Sequence, residues 1–304
     1  MKQLVFIHGR AQEGKESLGL KQTWVDALKQ GLEAAGASLP VGDDRIHFPY
    51  YGDTLAGLVA GMAPDQVAQV VVRGEGGLDD AERDFLYAVL RQAVQAQGIK
   101  VQAPGDVDLT LPSHVERGLE NLALVRAIAA AIDSHCGPAS AAMLSAVTHD
   151  VYVYLNNPAI AKQIDDGVRQ ALPRNSESVV VSHSLGTVIA YKLLKSEGAA
   201  NGWRVPTFIT LGSPLAVSPI RDKVTPTQFP ECIIGAGGFS GWLNARDPAD
   251  IVALYPLDNS HFLTNRSGAI VNHSAVRNTT SNHHGISGYL TDPKVALAIR
   301  DALL

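Results

Sequence analysis

Short apolar runs and helical stripes alternate along most of this chain, and their order predicts a layered fold. Residues Gln3–Ile7 form an apolar run ending at His8-Gly9, as a buried strand does. Val25, Leu28 and Leu32 recur at helical spacing over residues 24–32. Ile46, Phe48 and Tyr50 alternate over residues 45–50, which predicts a second strand closed by Pro49 and Gly52. Together these make a β-α-β unit, implying a parallel pair and a right-handed crossover. Val179, Val180 and Val181 predict a further buried strand, and Val188, Tyr191 and Leu194 the helix behind it. Residues 207–211 and 242–245 predict two more strands, and residues 293–304 a closing helix. Alternating strands and helices of this kind argue a three-layer α/β fold with a mostly parallel sheet.

The middle of the chain breaks the alternation. Residues 55–72 are small and apolar, and 73–77 are glycine-rich. Helical patterns cover 79–97, with Asp79 as N-cap, then 115–132, 143–155 and 158–172, while 101–112 reads as a loop. Residues 54–150 therefore read as a mainly helical insertion, a cap or lid, in a core made of 1–53 and 151–304. Residues 260–288 are rich in Asn, Ser, Thr, His and Gly and read mostly as loop.

Composition narrows the partners. With 304 residues, 46% hydrophobic and 18% charged, the chain can bury a large core, as one domain with an insertion or as two. Net charge is −5 and no basic block appears, so no nucleic-acid partner is expected. Cys136 and Cys232 belong to no metal or redox motif and read as free thiols in a reducing compartment. The apolar run at the N-terminus is too short for a secretory signal. No apolar stretch approaches the roughly 20 residues of a membrane span. The expectation is a cytoplasmic protein without stable membrane insertion.

The most informative segment is Val179 to Leu194. Ser184 stands between the β-branched strand and the helix, flanked two residues away by Ser182 and Gly186. A serine on such a turn projects above the sheet edge beside the first free N–H groups of a helix. The small flanking residues suit a close approach of strand and helix. Ser182-His183-Ser184-Leu185-Gly186 resembles the Gly-x-Ser-x-Gly elbow of the α/β-hydrolase family of serine esterases and lipases, with Ser182 where Gly is usual. The resemblance spans residues 1–53 and 150–304. It implies a serine hydrolase with a Ser-Asp-His triad, acting on an ester and needing no cofactor or metal; the Ala/Leu-rich helices of the insertion, read as lining part of the site, add the expectation of an apolar acyl part.

Chain order in that fold is serine, then acid, then histidine. Asp247 and Asp250 follow a late strand, and Asp250-Ile251-Val252 resembles the Asp-x-Val segment of lipase-like members, which favours Asp250. Asp247, before Pro248, is the alternative acid. His284 in Ser281-Asn282-His283-His284-Gly285 is the favoured base, with His283 as its alternative. The oxyanion requires backbone donors already aimed at it. The N–H of Leu185, just after the nucleophile, is one candidate. His8-Gly9-Arg10 resembles the His-Gly oxyanion loop, making the N–H of Arg10 the second, with His8 structural. Two other readings stay open. One is an acyltransferase using the same acyl-enzyme. The other is a P-loop-like nucleotide binder, because Gly9 to Lys15 matches Gly-x-x-x-x-Gly-Lys, although Glu16 stands where Ser or Thr would hold Mg²⁺.

Overall fold

The computed structural model describes residues 2–9, 17–50, 80–103, 107–108, 111, 119–225, 239–262 and 270–304. Its main sheet holds six strands, all parallel, in the order β2-β1-β5-β6-β7-β8. These are β1 (Gln3–Ile7), β2 (Ile46–His47), β5 (Glu177–His183), β6 (Arg204–Leu211), β7 (Phe239–Ala245) and β8 (Ile270–His273). β3 (Gln102–Ala103) and β4 (Val107–Asp108) form a separate antiparallel pair inside the stretch read as loop.

Alternation along the strands divides the core. Val5, Ile7, Val180 and Phe208 face one side, while Leu4, Phe6, Val179, Val181, Ile209 and Leu211 face the other. The second face is covered by α1 (Ser17–Ala34), α8 (Ile286–Leu290) and α9 (Pro293–Leu303), through Trp24, Leu28, Tyr289 and Ile299. The first face carries α2 (Asp80–Ala96), α3 (Leu119–Cys136), α4 (Ser140–Asn156), α5 (Pro158–Ala171), α6 (Leu185–Asn201) and α7 (Ser218–Val224). Strands buried on both faces read as continuous apolar runs, as Val179-Val180-Val181 does. The result is a three-layer α/β fold.

Two expectations change in detail. The second strand is only Ile46–His47, since Pro49 lacks the N–H a ladder needs. Residues 260–288, read mostly as loop, contain the edge strand β8 and the start of the short helix α8. β8 escapes a pattern search because only Ile270 is buried in it, while Val271 points to solvent. Of the expected insertion, residues 54–79, 104–106, 109–110 and 112–118 lie outside the described residues. α2, α3 and α4 share one apolar cluster with the sheet, and α4 runs continuously through residue 150.

Because every strand of the main sheet is parallel, their C-terminal ends lie along one edge. His8-Gly9 follows β1, Ser184 follows β5, and Asp247 and Asp250 follow β7. His284 lies on the loop between β8 and α8. In open parallel sheets this edge is where ligands bind.

Candidate active site

The strand-to-helix turn at Ser184 is strained. Ser184 has φ 55° and ψ −130°, a backbone region costly for a residue with a Cβ. The strand ladder continues up to it, with Ser184 N–H donating to the Leu211 carbonyl at 3.2 Å. Helix α6 starts at the next residue, so the amides of Leu185 and Gly186 have no intrahelical acceptor. Strand and helix meet here without clearance. A Cβ on Gly186 would stand 2.3 Å from the Ile7 carbonyl oxygen and 2.5 Å from that of His8. A Cβ on Gly9 would stand 2.6 Å from the Cβ of Ser184. The end of β1 is thus packed directly against the serine.

Ser184, His284 and Asp250 form one hydrogen-bonded chain. His284 Nε2 lies 2.9 Å from Ser184 Oγ, and its Nδ1 lies 2.8 Å from Asp250 Oδ2. An ionised carboxylate only accepts, so the proton sits on Nδ1 and Nε2 is left to accept from the serine hydroxyl. All three side chains are buried. Burial alone would raise the Asp250 carboxyl. The charge of His284 and hydrogen bonds from His284, Tyr289 and the Val252 N–H outweigh it and hold the group below its ordinary value.

The alternative pair has a different place. Asp247 accepts from the Ala249 N–H at 2.8 Å and the Asn278 N–H at 2.6 Å. It therefore pins the turn carrying Asp250 to the loop carrying His284. His283, with φ 56°, donates from Nδ1 to the Asn278 carbonyl at 2.9 Å, and the same atom lies 3.8 Å from Asp247 Oδ2. Neither Asp247 nor His283 is joined to Ser184 by a hydrogen bond. Of the two expected oxyanion donors, Leu185 begins α6 immediately after Ser184. Arg10 lies outside the described residues, as does the Gly14-Lys15 end of the P-loop-like stretch.

Two of the supporting residues, His183 and Arg246, carry no signal that sequence reasoning used. His183 donates from Nε2 to the His284 carbonyl at 2.8 Å, and the two rings lie 4.7 Å apart. Complete burial, reinforced by the neighbouring His284, pushes His183 down to about 3, so it is neutral. Arg246 donates to the carbonyls of Ala253 at 2.9 Å and Leu254 at 3.1 Å, clamping the loop around Asp250. Tyr289 reaches Asp250 Oδ2 at 2.6 Å. His8 is buried, bonds the Gly9 carbonyl through Nδ1 at 2.8 Å and stacks on Phe48. Burial lowers it to about 4, and it too is neutral.

Among the described residues, no cluster of three or more His, Cys, Asp or Glu side chains could hold a metal ion, and no helix is long and apolar enough to cross a membrane. Cys136 is a half-buried free thiol, and Cys232 lies outside the described residues.

The chain matches no family model and no curated protein. One solved structure, an uncharacterized protein from Pseudomonas aeruginosa, aligns at 11% identity with a TM-score of 0.33. The alignment covers 100% of this chain and 46% of that one, so the chain spans about half the length of its structural neighbour.

Proposed function

We propose that this protein is a serine hydrolase of the α/β-hydrolase type, cleaving a carboxylic ester through an acyl-enzyme on Ser184. The observation that carries this reading is the unbroken Ser184–His284–Asp250 hydrogen-bond chain beside a strained strand-to-helix turn. The roles follow from the geometry. Ser184 Oγ attacks the ester carbonyl while His284 Nε2 takes its proton, and Asp250 holds the proton on Nδ1 and balances the imidazolium that forms. The tetrahedral intermediate places its negative oxygen near the start of α6, where the Leu185 N–H can donate. The N–H of Arg10, one residue beyond Gly9, is the second donor in this reading. Collapse of the intermediate expels the alcohol, which takes its proton from His284. Water then repeats the sequence and frees the acid.

The described apolar side chains of helices α2 to α4 lie in the buried core on the first sheet face, so they supply no argument about the acyl group. Hydrolysis of short p-nitrophenyl esters tests the reading. Wild type should turn over, and Ser184→Ala, which keeps the Cβ and the turn and should stay folded, should lose about 10³-fold or more. Equal turnover by the two proteins would end the proposal. Product dependence on added alcohol separates a hydrolase from an acyltransferase on the same site.

A further inference from the structure

The acid of the site is held by more than the histidine. Asp250 Oδ1 accepts from the Val252 N–H at 2.9 Å and the Ala253 N–H at 3.4 Å. Oδ2 takes two donors at once, His284 Nδ1 at 2.8 Å and the Tyr289 hydroxyl at 2.6 Å. Tyr289 is itself buried, on α8, five residues beyond His284. Its oxygen also accepts from the Asp247 N–H at 3.2 Å. One phenol thus bridges the backbone of the acid turn and the carboxylate oxygen that faces the histidine. Asp250 has no exposed surface through which water could replace it.

We propose that Tyr289 is a positioning residue of the triad, its hydroxyl fixing the Asp250 carboxylate and sharing the charge of the oxygen that orients His284. The proposal rests on the triad reading above. Its physical content has two parts. The first is geometric: without the hydroxyl, Oδ2 keeps one donor and the carboxylate is free to rotate away from Nδ1. The second is electrostatic. A short O–H···O⁻ bond draws negative charge from Oδ2, so less is directed at His284. Removing it concentrates that charge on the imidazole and favours the imidazolium, which cannot act as base. The charged and titratable groups facing Asp250 are Arg246 and Asp247 on its own segment, His183 from the end of β5, and His284 and Tyr289. His183 is neutral, so Arg246 is the fixed cation among them. Burial, with Asp250 next to it, drives the Tyr289 hydroxyl well above its ordinary range, which keeps it a donor at every working pH.

The test uses the rate of Ser184 phosphonylation by a fluorophosphonate, which needs no knowledge of the substrate. Four proteins are compared: wild type, Tyr289→Phe, Asp250→Asn and the double variant. Tyr289→Phe keeps the ring packed and should slow labelling at pH 7 by about 10- to 150-fold, the loss of one hydrogen bond to a charged group. The acid limb of its pH profile should move to higher pH. In the Asp250→Asn background the same change should cost less than about twofold, because there is no carboxylate charge left to share. Fluorotyrosine at position 289, which keeps the donor, should restore the rate to within about twofold of wild type. An equal loss in both backgrounds, or a Tyr289→Phe profile identical to wild type, would overturn the proposal while leaving the triad in place. Failure of wild-type Ser184 to label would instead bring down the triad reading and this proposal with it.

Discussion

Gly186→Ala is the sharpest steric test of the elbow. The new Cβ would stand 2.3 Å from the Ile7 carbonyl oxygen, 2.5 Å from that of His8 and 2.8 Å from the Ile7 carbonyl carbon. All three are backbone atoms at the end of β1, so no side chain can rotate out of the way. Relief requires β1 and α6 to separate by about 0.7 Å or more to reach even a tight contact. β1 lies inside the sheet, between β2 and β5, and its residues Leu4 to Ile7 are fully buried, so the separation disturbs both core faces. Overpacking of this kind costs about 1–3 kcal/mol. Gly167→Ala, in α5, is the control, because a Cβ there meets nothing within 4 Å. That exchange should stabilise by up to about 1 kcal/mol through helix propensity alone. The two variants should therefore differ by about 1–4 kcal/mol in urea unfolding, with Gly186→Ala the weaker. Movement of the β1 end also displaces the His8-Gly9 turn beside Ser184. A misplacement near 1 Å costs about 10²-fold in rate, so fluorophosphonate labelling of Gly186→Ala should slow by that order while Gly167→Ala labels normally. If Gly186→Ala matches Gly167→Ala in both stability and labelling, the close-approach argument is wrong.

Other outcomes follow from the same geometry. Asp250→Asn should reduce ester turnover far more than Asp247→Asn, and His284→Ala more than His283→Ala; kinetics on the purified variants decide, and a reversed ranking would move the roles. His8 and His183 are neutral when folded, at about 4 and about 3, against 6.5 when unfolded. Between those values and 6.5 the unfolded chain binds protons that the folded chain does not. Stability is therefore complete above pH 6.5 and falls as pH drops towards 4 and then 3, by a few kcal/mol per histidine at the acid limit. Thermal unfolding from pH 7 to 4.5 should show this fall, with a shallower slope in His183→Phe; a flat wild-type curve would refute it.

Much of the scaffold was legible because parallel strands buried on both faces leave continuous apolar runs, as at Val179 to Val181. β8 was not, because an edge strand with Val271 exposed and polar flanks resembles a loop. Ser184 stood out since its turn needs small neighbours and a strand-to-helix transition, all local features. The choices between Asp247 and Asp250, and between His283 and His284, were not local. Both aspartates lie in one turn and both histidines in another, and only the packed loops show which pair meets Ser184. The other pair is bonded elsewhere: Asp247 ties the two loops through Asn278, and His283 closes its own turn at positive φ. His183 and Arg246 act through contacts across the sheet edge, and no spacing in the chain announces them.

The central claim is that Ser184 is an activated nucleophile. Labelling of the purified wild-type protein with a fluorophosphonate, followed by peptide mapping, addresses it without any assumption about the natural ester. The account predicts one covalent adduct, on Ser184, formed within minutes at pH 7–8, lost in Ser184→Ala and strongly slowed in His284→Ala. No adduct, or an adduct on another serine that persists in Ser184→Ala, would contradict it.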